Sequence, residues 1–264
     1  MRRTLVVTDL DGTLLESGRG VDDLVRSVVR TARDRGALFT IATGRIFPSA
    51  RAVALAAGIE CPIIAGGGAV VGTPSGEVLS QLYLDRGVAG AILGMVGKGA
   101  YRYAFVGGRI LTDTPGDHAI RYSESLGVPI EVVDDLEPRV GEQTSHIVLR
   151  MPPDRAEALV GTYASAIGAS ARVTRTLPHL IEFVNPLASK GRALGFLCSL
   201  LSVQMKDVIA VGDAEADLDM LDAAGVGVLV ANAPPELRTR VKHVTRRPGT
   251  LGVLEVLDTY LPVA

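Results

Sequence analysis

Thr4-Leu5-Val6-Val7-Thr8-Asp9-Leu10-Asp11-Gly12-Thr13 joins a short β-branched, apolar run directly to an acidic Asp-Gly turn. Such a run reads as a buried strand that ends in a polar loop. Outward from it, Leu24, Val25, Val28, Val29 and Ala32 recur at helical spacing, and Arg33, Arg35 and Gly36 supply a basic last turn and a stop. Leu38 to Ala42 reads as a second strand, a helix begins near Pro48, and Ile63-Ile64-Ala65 is a third strand. Continuous apolar strands between amphipathic helices predict a parallel sheet covered on both faces, a Rossmann-like, doubly wound α/β core.

The pattern changes after the hairpin predicted from Val70 to Leu84, which turns at Thr73-Pro74-Ser75-Gly76. From about 85 to 185 the strands alternate: Tyr101, Tyr103 and Phe105 share one side, as do Ile147, Leu149 and Met151 further on. Alternation suits an antiparallel sheet with one covered face. A helix marked by Leu159, Val160, Tyr163 and Ile167 runs from Pro152-Pro153 to Gly168. After Asn185-Pro186 the first pattern resumes, with Leu194, Leu197, Cys198 and Leu201 on a helix and strands at Val208 to Val211 and Val226 to Val230. The expected organisation is a discontinuous core, 1–84 and 186–264, with an α+β unit inserted at 85–185.

A chain of 264 residues, 47% hydrophobic and 21% charged, describes a globular protein large enough for two cores. With 27 basic against 29 acidic residues there is no net drive toward a phosphate backbone, so no nucleic-acid partner is expected. Cys61 and Cys198 fit no metal or redox spacing, and a reducing cytoplasm is the expected setting. Arg2-Arg3 resembles the start of an export signal, but Asp9 and Asp11 interrupt the apolar run, and no stretch reaches the roughly 20 apolar residues of a membrane span.

Four motifs fall at predicted strand ends or helix starts: Asp9-Leu10-Asp11-Gly12-Thr13, Thr43-Gly44-Arg45, Ser189-Lys190-Gly191 and Gly212-Asp213-Ala214-Glu215-Ala216-Asp217. Open α/β sheets bind ligands at the carboxyl ends of their strands. Clustered carboxylates beside a lysine need a compensating cation, and a hard divalent ion such as Mg²⁺ takes oxygen ligands. With phosphate charge neutralised, a carboxylate can attack phosphorus, and a second carboxyl can protonate the leaving oxygen and then activate water.

Taken singly, each motif has a plainer reading as a turn, a strand exit, a helix cap or a solvated face. A calcium loop at Asp9 fails because Leu14 and Gly20 hold its glycine and glutamate positions. Gly66-Gly67-Gly68 is not a dinucleotide fingerprint, since Val71 takes its third glycine position, and Gly97-Lys98-Gly99 is not a P-loop.

In order and placement together, the four motifs resemble the haloacid dehalogenase superfamily, in particular its Cof-type sugar-phosphatase-like branch with a C2-type (IIB) cap. The resemblance implies that Asp9 is the nucleophile and Asp11 the general acid/base, with Thr43, Gly44 and Lys190 holding the transferring phosphoryl group. It implies Mg²⁺ bound by Asp9, Asp213 and the backbone carbonyl of Asp11, with Asp217 supporting the metal through water or by orienting Lys190. Arg45 and Asn232 match stretches common in this branch and are candidate substrate contacts. The cap would close over the phosphate site and select the substrate, and His146, Arg150 and Glu182 are its candidate contacts. The plainer reading of His146 and Arg150 is a solvated sheet face; His118, His179 and His243 read as surface or loop residues.

Two departures stand out. Ala216 replaces the asparagine usual before the last acid, and Gly67-Gly68-Ala69 replaces Asn-Gly-Ala. The implied function is a Mg²⁺-dependent phosphatase of a phosphorylated sugar or similar small metabolite, monomeric or homodimeric and cytoplasmic. A phosphomutase and a turnover-deficient sugar-phosphate-binding protein are the alternatives.

Overall fold

The computed structural model describes residues 3–16, 19–97 and 100–261. Arg2 of the export-signal comparison and Lys98 and Gly99 of the rejected P-loop lie outside them. Two compact units emerge: Met1–Ser80 with Ser189–Ala264, and Gln81–Ala188. The breaks lie a few residues from those read in the sequence. Asn185 donates to the Tyr83 carbonyl and Arg172 to the Ala188 carbonyl, which ties both linkers to the insert.

In the first unit β1 (Leu5–Thr8), α1 (Asp23–Asp34), β2 (Leu38–Ile41), α2 (Phe47–Ala57) and β3 (Ile63–Ala65) alternate, before the hairpin of β4 (Val70–Gly72) and β5 (Val78–Gln81). Helix α1 starts because the Asp22 carboxylate accepts from the Val25 amide, and it buries Val25, Val28, Val29 and Ala32. The insert runs α3 (Arg86–Val96), β6 (Tyr101–Val106), β7 (Arg109–Thr112), α4 (Asp117–Leu126), β8 (Ile130–Val132), β9 (Thr144–Arg150), α5 (Pro153–Ile167), β10 (Arg172–Leu177) and β11 (Leu180–Val184). The chain then returns through α6 (Lys190–Leu201), β12 (Val208–Gly212), α7 (Leu218–Ala223), β13 (Val226–Leu229), α8 (Pro235–Arg238), β14 (His243–Val244) and α9 (Gly249–Tyr260).

The core sheet is parallel, in the order β14-β13-β12-β1-β2, and Ala42 bridges to Ile64 at its far side. All four residues of β1 are buried. Leu5 and Val7 pack with Leu194, Leu197, Met220 and Leu221 of α6 and α7, while α1 meets β2 and α9. From β1 the chain winds outward in both directions, which puts the switch point between β1 and β12, the position where such sheets bind ligands. Thr8 pairs with Val211 on one side and Ile41 on the other. The loops beginning at Asp9, Ala42 and Gly212 therefore leave the sheet at one level.

The insert has a six-stranded sheet in the order β10-β11-β9-β6-β7-β8, antiparallel except for β7 with β8. One face carries Ala104, Leu111, Ile147, Leu149, Ile181 and Phe183, packed with Ile92 and Leu93 of α3 and Ala156 of α5. On the other, Phe105 pairs with His146 and Tyr101 with Arg150. His146 is buried, with its ring edge-on to Phe105, so the solvated reading of that residue is corrected. Arg150 is half-buried, 5.9 Å from the Tyr122 ring. His118 sits on α4, stacked on Tyr101 at 3.7 Å, and His243 on β14, so both lie in elements and not in loops, and both are partly exposed. Among the described residues no helix is long and apolar enough to cross a membrane.

Candidate active site

Adjacent strand ends bring Asp9 and Asp213 together. The Asp9 amide donates to the Val211 carbonyl at 2.8 Å, which holds the first turn beyond β1 against β12. Gly12, at φ +92°, allows the loop to pass the Asp213 carboxylate: a Cβ there would lie 2.4 Å from Oδ2. The Thr13 hydroxyl donates to Asp213 Oδ1 at 2.7 Å. Asp217 closes the corner. Its Oδ2 accepts from the amides of Asp213 and Ala214, at 3.0 and 2.9 Å.

Lys190 arrives on the first turn of α6, whose start is capped by the Ser189 hydroxyl on the Arg192 amide at 3.1 Å. Its Nζ donates to Asp9 Oδ1 and Asp217 Oδ1, both at 2.5 Å, with all three residues buried. Two positions hold that helix start in place. Gly68, at φ +98°, lets its loop approach so closely that a Cβ would sit 2.1 Å from the Ser189 carbonyl oxygen. On the other side, Asp219 Oδ2 accepts from the Gly191 amide at 3.0 Å.

Asp9, Asp213 and Asp217 each place an oxygen within 4.8 Å of the others. Two of these carboxylates share one ammonium with the third close by, and the electrostatics follow. Burial pushes the Asp9 carboxyl up to about 8; Lys190 pulls against this, and Asp217 and Asp213 add to it. Burial also opposes the Lys190 charge, but Asp217 and Asp9 outweigh it and hold the ammonium above its ordinary range. Asp213 is raised chiefly by burial, against the Thr13 hydrogen bond. The cluster thus has a deficit of positive charge and only hard oxygen donors, which fits a divalent cation of the Mg²⁺ class.

Thr43, buried at the exit of β2, accepts from the Arg45 amide at 3.1 Å, which leaves its O–H to donate. Gly44 lies between them. The Arg45 guanidinium forks onto Asp11, Nε to Oδ2 at 2.7 Å and Nη2 to Oδ1 at 2.5 Å. The Asp11 carboxylate is therefore engaged by an ion pair and stands apart from the acidic trio, which agrees with an expected role for its backbone carbonyl, and not its side chain, toward a metal. The Asn232 side-chain amide donates to the Gly12 carbonyl at 2.9 Å and accepts from the Gly249 amide at 2.8 Å, so it ties the loop after Asp9 to the start of α9. His146, Arg150 and Glu182 belong to the other unit.

Sequence reading missed three contributors. Thr13 lies within the first motif but has no role in its sequence reading, Asp219 follows Asp217 by two residues, and Gly68 carries no function once the dinucleotide fingerprint is excluded. The triple glycine was the available signal for a close backbone approach.

A sequence profile described as haloacid dehalogenase-like hydrolase matches residues 6–257. The chain is 28% identical to the HMP-PP phosphatase of Cronobacter sakazakii over 237 residues, covering 89% of this chain and 87% of that protein. The solved structure of TM0651 from Thermotoga maritima is similar, with a TM-score of 0.83 at 24% identity and 97% of each chain covered. The HAD subclass IIB sugar phosphatase BT4131 has a TM-score of 0.78 at 16% identity, over 97% of this chain and 98% of that one. At these identities the two structures speak for the fold.

Proposed function

The chain belongs to the haloacid dehalogenase-like hydrolases, and from that premise we propose that it is a Mg²⁺-dependent phosphatase acting on a phosphorylated sugar or similar small metabolite through an aspartyl-phosphate on Asp9. One observation carries the reading: Asp9 is buried at the strand switch point between Lys190 and two further carboxylates. Lys190 bonds Asp9 Oδ1, and among the described residues Oδ2 has no hydrogen-bond partner, so Oδ2 is the attacking oxygen.

In the first step Asp9 Oδ2 bonds to phosphorus, the P–O bond to the leaving group breaks, and Asp11 delivers a proton to the departing oxygen. In the second, Asp11 takes a proton from water, the water oxygen bonds to phosphorus, and Asp9 leaves as carboxylate. Thr43, the backbone around Gly44, and Lys190 hold the phosphoryl oxygens as charge develops. Asp9 and Asp213, with the Asp11 backbone carbonyl, would hold Mg²⁺, and Asp217 would orient Lys190; the bound ion supplies charge neutralisation for the phosphoryl group. Arg150 and Glu182 of the insert are the proposed substrate-selecting residues, and the insert is the proposed specificity unit of a cytoplasmic enzyme.

The test is phosphate release from hexose, pentose, amino-sugar and polyol phosphates, with Mg²⁺ and with chelator, beside Asp9→Asn. Metal-dependent release by wild type alone is the expected result. Isomerised sugar phosphate without release would make the protein a mutase, and binding without either product would make it a sensor.

A further inference from the structure

The sequence offers Arg45 as a candidate substrate contact, yet its guanidinium is turned onto Asp11. Among the described residues its side chain hydrogen-bonds to one group only, the Asp11 carboxylate, and it takes both oxygens in a planar fork. Hydrogen bonding to Asp11, the largest effect on it, keeps the guanidinium firmly charged. The backbone of Arg45 is pinned on both sides: its amide donates to Thr43 Oγ1 at 3.1 Å, and its carbonyl accepts from the Gly66 amide at 2.8 Å. The Asp11 side chain, by contrast, is about half exposed (48%), and among the described residues Arg45 is its hydrogen-bond partner. Its backbone is fixed by the turn in which Gly12 donates to the Leu15 carbonyl, and among the described residues Arg45 alone sets the direction of its carboxylate.

We propose that Arg45 is the positioning residue of Asp11: it is the third member of a line in which Asp9 attacks, Asp11 moves the proton and Arg45 aims Asp11. The inference rests on the reading of Asp11 as general acid/base. A proton-transfer group needs a third group to orient it, and misplacement by about 1 Å costs on the order of 100-fold. Lysine is a poor substitute, because a point charge on a flexible stem cannot fork onto two oxygens.

The discriminating experiment varies the leaving group. When an alkyl phosphate is cleaved, the P–O electron pair goes to an alkoxide-like oxygen that needs the Asp11 proton; p-nitrophenolate departs without one. Values of kcat/KM report the step that forms the phosphoenzyme. They are measured for wild type, Arg45→Ala, Arg45→Lys, Asp11→Asn and the Arg45→Ala/Asp11→Asn double variant, on p-nitrophenyl phosphate and on the alkyl phosphate that wild type hydrolyses fastest.

For Arg45→Ala the expected loss is on the order of 100-fold on the alkyl ester, the usual scale of general acid catalysis, with p-nitrophenyl phosphate near wild type. Asp11→Asn shows the same split, and the double variant is no worse than Asp11→Asn. Arg45→Lys, which keeps charge and bulk and so guards against a folding defect, shows the split in smaller degree. Equal losses on both esters, or a double variant that falls by the product of the singles, would make Arg45 a phosphoryl or substrate contact and overturn the inference while the phosphatase reading stands. A wild type inactive on both esters would remove that reading and the inference with it.

Discussion

Each unit buries a cation beside carboxylates, and the two burials are built differently. In the insert, Arg102 is fully buried on the face packed against α3; it pairs with the buried Asp113 and gives a further N–H to the Leu93 carbonyl. One positive charge meets one negative, and each guanidinium nitrogen donates. In the core, Lys190 meets Asp9 and Asp217 with Asp213 close by, so one positive charge faces three negative. A closed pair is consistent with architecture alone. An open one is costly to keep and marks a place where charge is to be supplied by something that binds.

If that contrast is right, substitutions in the two places fail in different currencies. The largest effect expected is on chemistry: Asp9→Asn lowers single-turnover phosphate release by about 10⁴-fold or more, while its denaturant midpoint stays at or above wild type. Arg102→Ala does the reverse. It leaves Asp113 buried without its partner and costs about 3–5 kcal/mol in urea unfolding, whereas Arg102→Met with Asp113→Leu recovers most of that loss. An Arg102→Ala protein as stable as wild type would erase the distinction.

The open cluster also makes a pH signature. Because the Asp9 carboxyl is raised from 3.8 to about 8, the folded protein binds more protons than the unfolded chain between those values. Metal-free stability therefore falls as pH rises through that window, and Asp9→Asn flattens the slope. Mg²⁺ at 100 times its Kd adds about 2.7 kcal/mol to wild type and releases a proton near neutral pH, measurable by calorimetry in buffers of different ionisation enthalpy. The smallest effect is at the triple glycine. Gly67, at φ +60° with open space around it, accepts asparagine within about 1 kcal/mol, so Gly67→Asn is expected to melt like wild type. Gly68→Ala, aimed at the Ser189 carbonyl, lowers both stability and turnover.

The same contrast explains what could be read from sequence. Strands such as Leu5–Thr8 and Val208–Gly212 are buried on both faces, so they stand out as apolar runs, and the motifs follow because function sits where those runs stop. Their convergence needed no side-chain detail. In the insert, burial depends on what covers a face from elsewhere in the chain. His146 reads as a solvated strand position, and nothing local marks Arg102 for burial; Phe105 lies against the first, and α3 packs over the second. The pairing of Arg45 with Asp11 and the tether formed by Asn232 join residues 34 and 220 positions apart, and no local pattern announces either.

The central claim, that Asp9 carries the phosphoryl group, is tested most directly by quenching wild type during turnover with Mg²⁺ and treating it with borohydride, which reduces an acyl phosphate to the alcohol. Peptide mass spectrometry should then find homoserine in place of Asp9 in wild type, and unmodified peptide in Asp9→Asn. Reduction at Asp11 or Asp213 instead, or turnover with no trapped residue at any quench time, would contradict it.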